Sequence, residues 1–133
     1  MKNIFVDTSF IIALFNKDDE FHAGAVAILP KINGGAFVLT QAIILEIGNA
    51  FSSNKRKRAG VKIIKWIESS EEFQIIPYDK DLHKKAFHLY ESRIDKDWSL
   101  TDCVSFVVMK DFKIEHALAT DRHFIQAGFK CLL

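Results

Sequence analysis

Four acids of this chain stand apart from the others because apolar residues surround them in the sequence. They are Asp7, Glu46, Asp102 and Asp121, whereas most of the remaining acids lie in charged loops or on amphipathic helix faces. Four carboxylates held together away from water repel each other, and some of them stay protonated at neutral pH. A divalent cation removes this conflict, and a site with oxygen ligands alone favours Mg²⁺ or Mn²⁺.

A cation held by such acids is suited to the hydrolysis of phosphodiester bonds. It can activate a water as the nucleophile and stabilise the leaving oxygen, most fully where two metal ions lie ~3.5–4 Å apart. Each acid also has a simpler role open to it, and spacing alone does not show that the four meet. Asp7 and Asp121 can cap helices, and Glu46 can be a partly solvated helix residue or the partner of a lysine.

The segment from Trp98 to Phe106 predicts the start of a buried helix. Ser99 and Asp102 have the spacing of a capping box, in which each side chain accepts a hydrogen bond from the first turn. Apolar residues then cover most sides of the helix, so we expect it to be buried, with Cys103 packed in the core. An acid at the entrance of a buried helix needs a partner, and a cation is one candidate.

Strands alternate with helices along the whole chain. The predicted strands are Asn3–Val6, Ala36–Leu39, Phe73–Ile76, His116–Ala119 and an edge strand at Phe129–Leu132. The helices between them are predicted near residues 10–15, 21–32, 41–51, 61–67, 79–94, 99–112 and 122–126, with a turn at 33–35. This alternation predicts an α/β protein with three α/β/α layers around a central parallel sheet of four to five strands. No linker or repeat divides residues 1–133, so we expect a single domain.

The parallel sheet gives the acids a common location. Right-handed crossovers place every strand-to-helix turn at the same edge, where ligands bind at the point at which the strand order reverses. Asp7 follows the first predicted strand and Asp121 the fourth, and the helix of Asp102 leaves from or beside that edge. The sequence therefore predicts that these acids approach one crevice.

Composition limits the other possibilities. The 49% hydrophobic and 26% charged content is typical of a globular domain, and a net charge of +1 gives no overall attraction to nucleic acid. Two cysteines fit neither a disulfide framework nor a zinc cluster, and no apolar stretch approaches the ~20 residues of a membrane helix. We expect a cytoplasmic protein that does not associate with membranes. Most of the twelve phenylalanines fall on apolar stripes, which predicts core positions and no platform for base stacking.

One local basic run could still bind RNA. Lys55, Arg56, Lys57 and Arg58 are consecutive cations, and each phosphate contact would add salt dependence to binding. A solvated helix connection, or a surface for an acidic partner segment, explains the run equally well. Arg122 and His123, next to Asp121, are further RNA-binding candidates.

These motifs together resemble a PIN domain, and within that family the VapC-type toxins of toxin–antitoxin pairs or similar small stand-alone PIN proteins. The segments that carry the resemblance are Asp7-Thr8-Ser9 after a strand, Glu46 in an apolar helix, Ser99-Leu100-Thr101-Asp102 and Ala119-Thr120-Asp121. The resemblance spans essentially the whole chain in the same order. It implies a Mg²⁺- or Mn²⁺-dependent endoribonuclease in which the four acids hold the metal. It also implies a homodimer and a small antitoxin protein that binds near the active site.

Neighbouring residues leave alternatives open. His123 stands where many relatives carry a further acid; it could contact phosphate or ligate metal weakly, but we expect a solvated loop histidine. Thr8, Ser99 and Thr101 could donate hydrogen bonds to the metal-binding acids, or merely cap their helices. Two other functions compete with the nuclease: a non-catalytic module that binds nucleic acid or a partner, and a phosphotransfer protein with Asp7 as nucleophile. The second lacks the acid that its pattern needs at Ser9.

Overall fold

The computed structural model describes residues 3–32 and 34–133. Its strands are β1 (Asn3–Val6), β2 (Ala36–Thr40), β3 (Phe73–Ile76), β4 (His116–Leu118) and β5 (Lys130–Cys131). Its helices are α1 (Thr8–Phe15), α2 (His22–Ile28), α3 (Gln41–Ala50), α4 (Lys57–Ser69), α5 (Lys80–Ser92), α6 (Leu100–Asp111) and α7 (His123–Gln126). In the predicted turn at 33–35, Asn33 lies outside the described residues, and Gly34 has a φ of +86° that favours glycine.

The five strands form one parallel sheet in the order β3-β2-β1-β4-β5. From β1 the chain moves outward to β2 and β3, then crosses back to β4 and β5. Right-handed crossovers in opposite directions place α1 to α4 on one face and α5 to α7 on the other. The predicted three-layer α/β/α fold is confirmed, and the strand order reverses between β1 and β4.

Aromatic packing fixes one face of the sheet. The Phe5 ring in β1 lies 6.1 Å from the ring of Phe124 in α7, which lies 5.0 Å from that of Phe106 in α6. All three side chains are buried, as is Cys103, so the predicted burial of α6 is confirmed. This contact holds α6 and α7 against β1 and β4, next to the reversal of strand order.

Some element boundaries differ from the predictions. The helix predicted near 21–32 ends as an α-helix at Ile28 and continues as a 3₁₀ turn, Leu29–Ile32, because Pro30 cannot continue the α-helical ladder. The helix after the basic run begins at Lys57 and therefore includes Lys57 and Arg58. β5 is limited to Lys130–Cys131.

Most phenylalanines occupy core positions, as expected, because eight of the twelve are buried or half-buried. The exceptions are Phe15, Phe21, Phe87 and Phe112, which are all exposed. Tyr90 of α5 is also exposed and stacks on Phe87. No helix in the described part of the chain is both long and apolar enough to cross a membrane.

Candidate metal centre

The four predicted acids line one cleft of about 540 Å³ at the carboxyl edge of the sheet. Asp7 directly follows β1, and Asp121 follows β4, its neighbour in the sheet. The backbone N–H of Asp7 donates to the carbonyl of Leu118 at 3.0 Å, which joins the ends of the two strands. Glu46 enters the cleft from α3 and Asp102 from the first turn of α6. The structure brings all four together, and their role as metal ligands stays a prediction.

Asp7 caps α1 and is almost fully buried. Its Oδ2 accepts hydrogen bonds from the Ser9 backbone N–H at 3.1 Å and from the Ser9 hydroxyl at 2.6 Å. The pKa of Asp7 is raised to about 6, mainly because burial disfavours the charged form; the hydrogen bonds from Ser9 oppose this rise, and the charges of Asp102 and Glu46 add to it. The Asp7 carboxylate therefore both caps α1 and lines the cleft.

Ser9 is a cleft residue that was not among the predicted site residues. Its hydroxyl donates to Asp7 and accepts a 3.0 Å hydrogen bond from the backbone N–H of Thr120. It thus ties the end of β1 to the end of β4. The only signal in the sequence was a hydroxyl two residues after an acid. Its contact with Thr120 could be inferred only from the pairing of β1 with β4.

Glu46 is held by hydroxyl groups from two other elements. The Thr8 hydroxyl donates to Glu46 Oε1 at 2.6 Å, and Thr8 itself is buried. Burial raises the pKa of Glu46, as do the charges of Asp102 and Asp121, whereas hydrogen bonds from Thr8 and Thr101 lower it. Both threonines therefore contact a predicted metal ligand, and Thr8 links α1 to α3.

Asp102 forms the predicted capping box with Ser99. The backbone N–H of Ser99 donates to Asp102 Oδ2 at 3.1 Å, and the backbone N–H of Asp102 donates to the Ser99 hydroxyl at 3.0 Å. The box restrains the Asp102 side chain at the start of α6, and the Oδ2 atom that accepts from Ser99 is also the one nearest His123.

His123 is not the solvated loop histidine that we expected. It is the first residue of α7, and the exposure of its side chain is only 24%. Its Nδ1 lies 2.9 Å from Asp102 Oδ2 and 3.3 Å from Asp121 Oδ2. A local turn, in which Asp121 Oδ1 accepts from the His123 backbone N–H at 2.9 Å, holds the histidine beside Asp121, and the packing of α6 next to α7 brings Asp102 to its ring.

The cleft concentrates negative charge. Asp97 adds a fifth carboxylate to its wall, and Asn49 adds an amide; neither was singled out from the sequence. Among the described residues that line the cleft there is no lysine or arginine. The four predicted acids are buried or half-buried and have no lysine or arginine beside them in the cleft, so they form a donor set that fits a hard divalent cation.

The basic run lies outside the cleft wall. Lys55 to Arg58 are exposed, in the turn after α3 and at the start of α4, and none of the four lines the cleft. Arg122 is exposed next to Asp121. The run follows the end of α3, the helix whose Glu46, Asn49 and Ala50 do line the cleft.

A groove of about 600 Å³ adjoins the cleft between α3 and α6. The two depressions share Glu46 and Asn49. The groove wall is mostly apolar or amide, with Leu45, Tyr78 and Leu100 among its residues. An extended ligand bound at the carboxylates could therefore continue along α3 without meeting another charged wall.

The fold and the cleft define a doubly wound α/β protein with a carboxylate cluster where its strand order reverses. Comparison with protein families gives this class a name: the PIN domain model matches residues 4–130. The chain therefore belongs to the PIN domain family, as its motifs indicated.

Individual relatives agree with this assignment. The chain is 29% identical, over 95% of both chains, to the 23S rRNA-specific endonuclease VapC20 of Mycobacterium tuberculosis. The crystal structure of that protein, described as a Sarcin-Ricin loop cleaving toxin, covers 95% of both chains with a TM-score of 0.87 and 28% identity. FitAcB from Neisseria gonorrhoeae shares the fold, with a TM-score of 0.68 at 16% identity over 98% of this chain and 96% of its own. VapBC2 from Rickettsia felis, solved with a promoter DNA fragment, has the same TM-score at 11% identity, over 97% and 96%.

Proposed function

We propose that this protein is a divalent-metal-dependent endoribonuclease that hydrolyses phosphodiester bonds of RNA. The observation that carries the proposal is the cleft: four carboxylates from four segments meet at the reversal of strand order, and no lysine or arginine is among the described residues of its wall. Membership in the PIN family and similarity to a 23S rRNA-specific endonuclease support the same activity.

In this proposal Asp7, Glu46, Asp102 and Asp121 hold Mg²⁺ or Mn²⁺. When bound, the cation would supply Lewis acidity toward the phosphate oxygens and lower the pKa of a water nucleophile. The protein contributes rigid placement of the acids. Thr8 and Thr101 orient Glu46, Ser9 fixes Asp7, and Ser99 restrains Asp102.

RNA is the proposed substrate, and the surface offers places for its backbone outside the acidic cleft. The exposed run Lys55 to Arg58 and the exposed Arg122 could contact phosphates. The apolar groove next to Glu46 could accept a nucleotide adjacent to the cleaved bond. These positions would let cations outside the cleft offset the repulsion between its carboxylates and RNA.

We further propose that the protein acts in the cytoplasm as a toxin component with a small antitoxin protein as partner, and that it forms a homodimer. The description of VapC20 as a toxin supports the first part of this proposal. The homodimer rests on the family resemblance. Sedimentation of the purified chain, alone and with the product of a neighbouring open reading frame, tests both associations.

Cleavage of RNA by the purified protein tests the activity directly. We expect cleavage with Mg²⁺ or Mn²⁺, none in EDTA, and a loss of roughly 100-fold or more in Asp102→Asn, because a carboxylate ligand is removed. Glu115→Gln is the control, since it removes one exposed acid at the opposite edge of the sheet. Equal cleavage by the wild type and Asp102→Asn would contradict the proposal. RNA binding that persists in EDTA without any metal-dependent cleavage would indicate a binding module instead.

A further inference from the structure

His123 presents a ring nitrogen to the same space as two of the cleft carboxylates. Three residues, Asp102, Asp121 and His123, each offer one ligand atom to this space, and these atoms all lie within 4.8 Å of one another. We propose that His123 Nδ1 is a direct ligand of the cation, which makes this a mixed nitrogen–oxygen site. The inference rests on the proposed metal-dependent function and specifies the donor set of that site.

The distances match those between neighbouring ligands of one octahedral ion. Bonds of about 2.1 Å at right angles place adjacent ligand atoms about 3 Å apart. His123 Nδ1 lies 2.9 Å from Asp102 Oδ2 and 3.3 Å from Asp121 Oδ2. The nitrogen and the two oxygens can therefore occupy adjacent coordination positions with little movement of the side chains.

The histidine is also held in place by the fold. Its backbone N–H donates to Asp121 Oδ1 at 2.9 Å, and the next residue, Phe124, is fully buried against Phe5 and Phe106. The backbone at position 123 is thus anchored on both sides. A ring that starts from an anchored backbone loses little conformational entropy on binding an ion.

A nitrogen ligand changes which ions the site prefers. Mg²⁺ favours oxygen ligands, whereas imidazole suits transition-metal ions, whose affinities rise along the first row from Mn²⁺. Replacing one oxygen position by His123 therefore moves the preference from Mg²⁺ toward Mn²⁺ and its neighbours. A carboxylate at position 123 would move the preference back, because it restores an oxygen donor and a negative charge.

Pulsed EPR of the Mn²⁺-loaded protein tests the inference without any activity assay. A directly bound imidazole gives a nitrogen coupling to Mn²⁺. His123→Asn keeps an N–H that can donate to Asp102 but removes the ring nitrogen, and His123→Asp supplies a carboxylate instead. His88→Ala, which removes an exposed histidine from α5, is the matched control.

We expect the coupling in the wild type and in His88→Ala, and its loss in both variants of His123. Mn²⁺ affinity should fall about 10-fold in His123→Asn, and the ratio of Mg²⁺ to Mn²⁺ affinity should rise in His123→Asp. Bound Mn²⁺ without nitrogen coupling in the wild type, or coupling that survives in His123→Asn, would overturn the inference and leave the proposed nuclease standing. Failure of the wild type to bind Mn²⁺ at all would overturn both.

Discussion

At the scale of single residues, Asp7 shows how the cleft costs stability when no cation is bound. The side chain is only 6% exposed, and its pKa is raised to about 6 because burial disfavours the charged form. The folded protein therefore holds a proton on Asp7 at pH values where the unfolded chain has released it. By linkage, the contribution of Asp7 to stability falls as pH rises from about 4 through 6.

Asp7→Asn should separate this effect from all other titrations. Asparagine can still cap α1 but carries no charge. In EDTA, the free energy of unfolding of the variant relative to that of the wild type should therefore rise by about 1–2 kcal/mol from pH 5 to pH 8. Urea unfolding at the two pH values measures the gain. Asp79→Asn, the same change at the exposed cap of α5, should show no such gain. The prediction would be wrong if the difference in free energy of unfolding between Asp7→Asn and the wild type were the same at pH 5 and pH 8.

The residues of the cleft differ in how far the sequence could predict them. The four acids were recognisable because they interrupt apolar segments, which is a local property. The contacts of Ser9 and His123 were not, because each depends on residues far along the chain. Ser9 meets Thr120 only through the pairing of β1 with β4, and His123 meets Asp102 only where α6 and α7 share a sheet face.

At the scale of elements, three of the helices that contribute residues to the cleft begin at a side-chain cap. Asp7 caps α1, Thr40 caps α3 through a 3.2 Å bond from the Ile43 N–H, and Ser99 caps α6. All three caps could be predicted because capping residues precede apolar helical runs. The caps fix where each helix starts, and so fix the height of Thr8, Glu46 and Asp102 above the edge of the sheet.

The packing of α3 against α4 depends on one glycine. A Cβ at Gly60 would lie 2.8 Å from the Cβ of Phe51, an atom that cannot move without the backbone. Gly60→Ala should therefore lower the free energy of unfolding by about 1–3 kcal/mol in urea titrations, despite the better helix propensity of alanine.

Gly48→Ala provides the matched control within α3. The added Cβ would meet only the end of the Ile64 side chain at an ordinary 3.7 Å, so this variant should be neutral or up to about 1 kcal/mol more stable. Equal stability changes in the two variants would show that helix propensity, and not the close approach to Phe51, governs Gly60.

At the scale of the whole molecule, the topology explains why distant segments form one site. The sequence could predict parallel strands and a common edge for their turns, because alternation and handedness are general rules. It could not predict that β4 inserts next to β1, nor that Phe87 and Tyr90 of α5 face solvent. Periodicity predicts which side of a helix is apolar, but the width of the buried stripe depends on what packs against it.

The charge distribution over the whole surface leads to a prediction about RNA binding. The cleft is acidic, so RNA must gain its electrostatic attraction elsewhere, and the exposed run Lys55 to Arg58 is the proposed source. Each phosphate contact to a single strand contributes about 0.7 to the slope of log affinity against log salt. Replacing all four residues by glutamine in an Asp102→Asn background should therefore reduce that slope by up to about 3.

Fluorescence anisotropy of labelled RNA across a salt series measures the slope. The control replaces Lys110, Lys113 and Lys130, which line a separate depression near the opposite edge of the sheet, by glutamine. Because long-range attraction between exposed charges is screened within about 10 Å at 0.1 M salt, these distant lysines should leave the slope almost unchanged. If the slope changed more in the control than in the variant of the basic run, the prediction would be wrong. RNA would then bind mainly at the opposite end of the molecule, away from the carboxylate cleft.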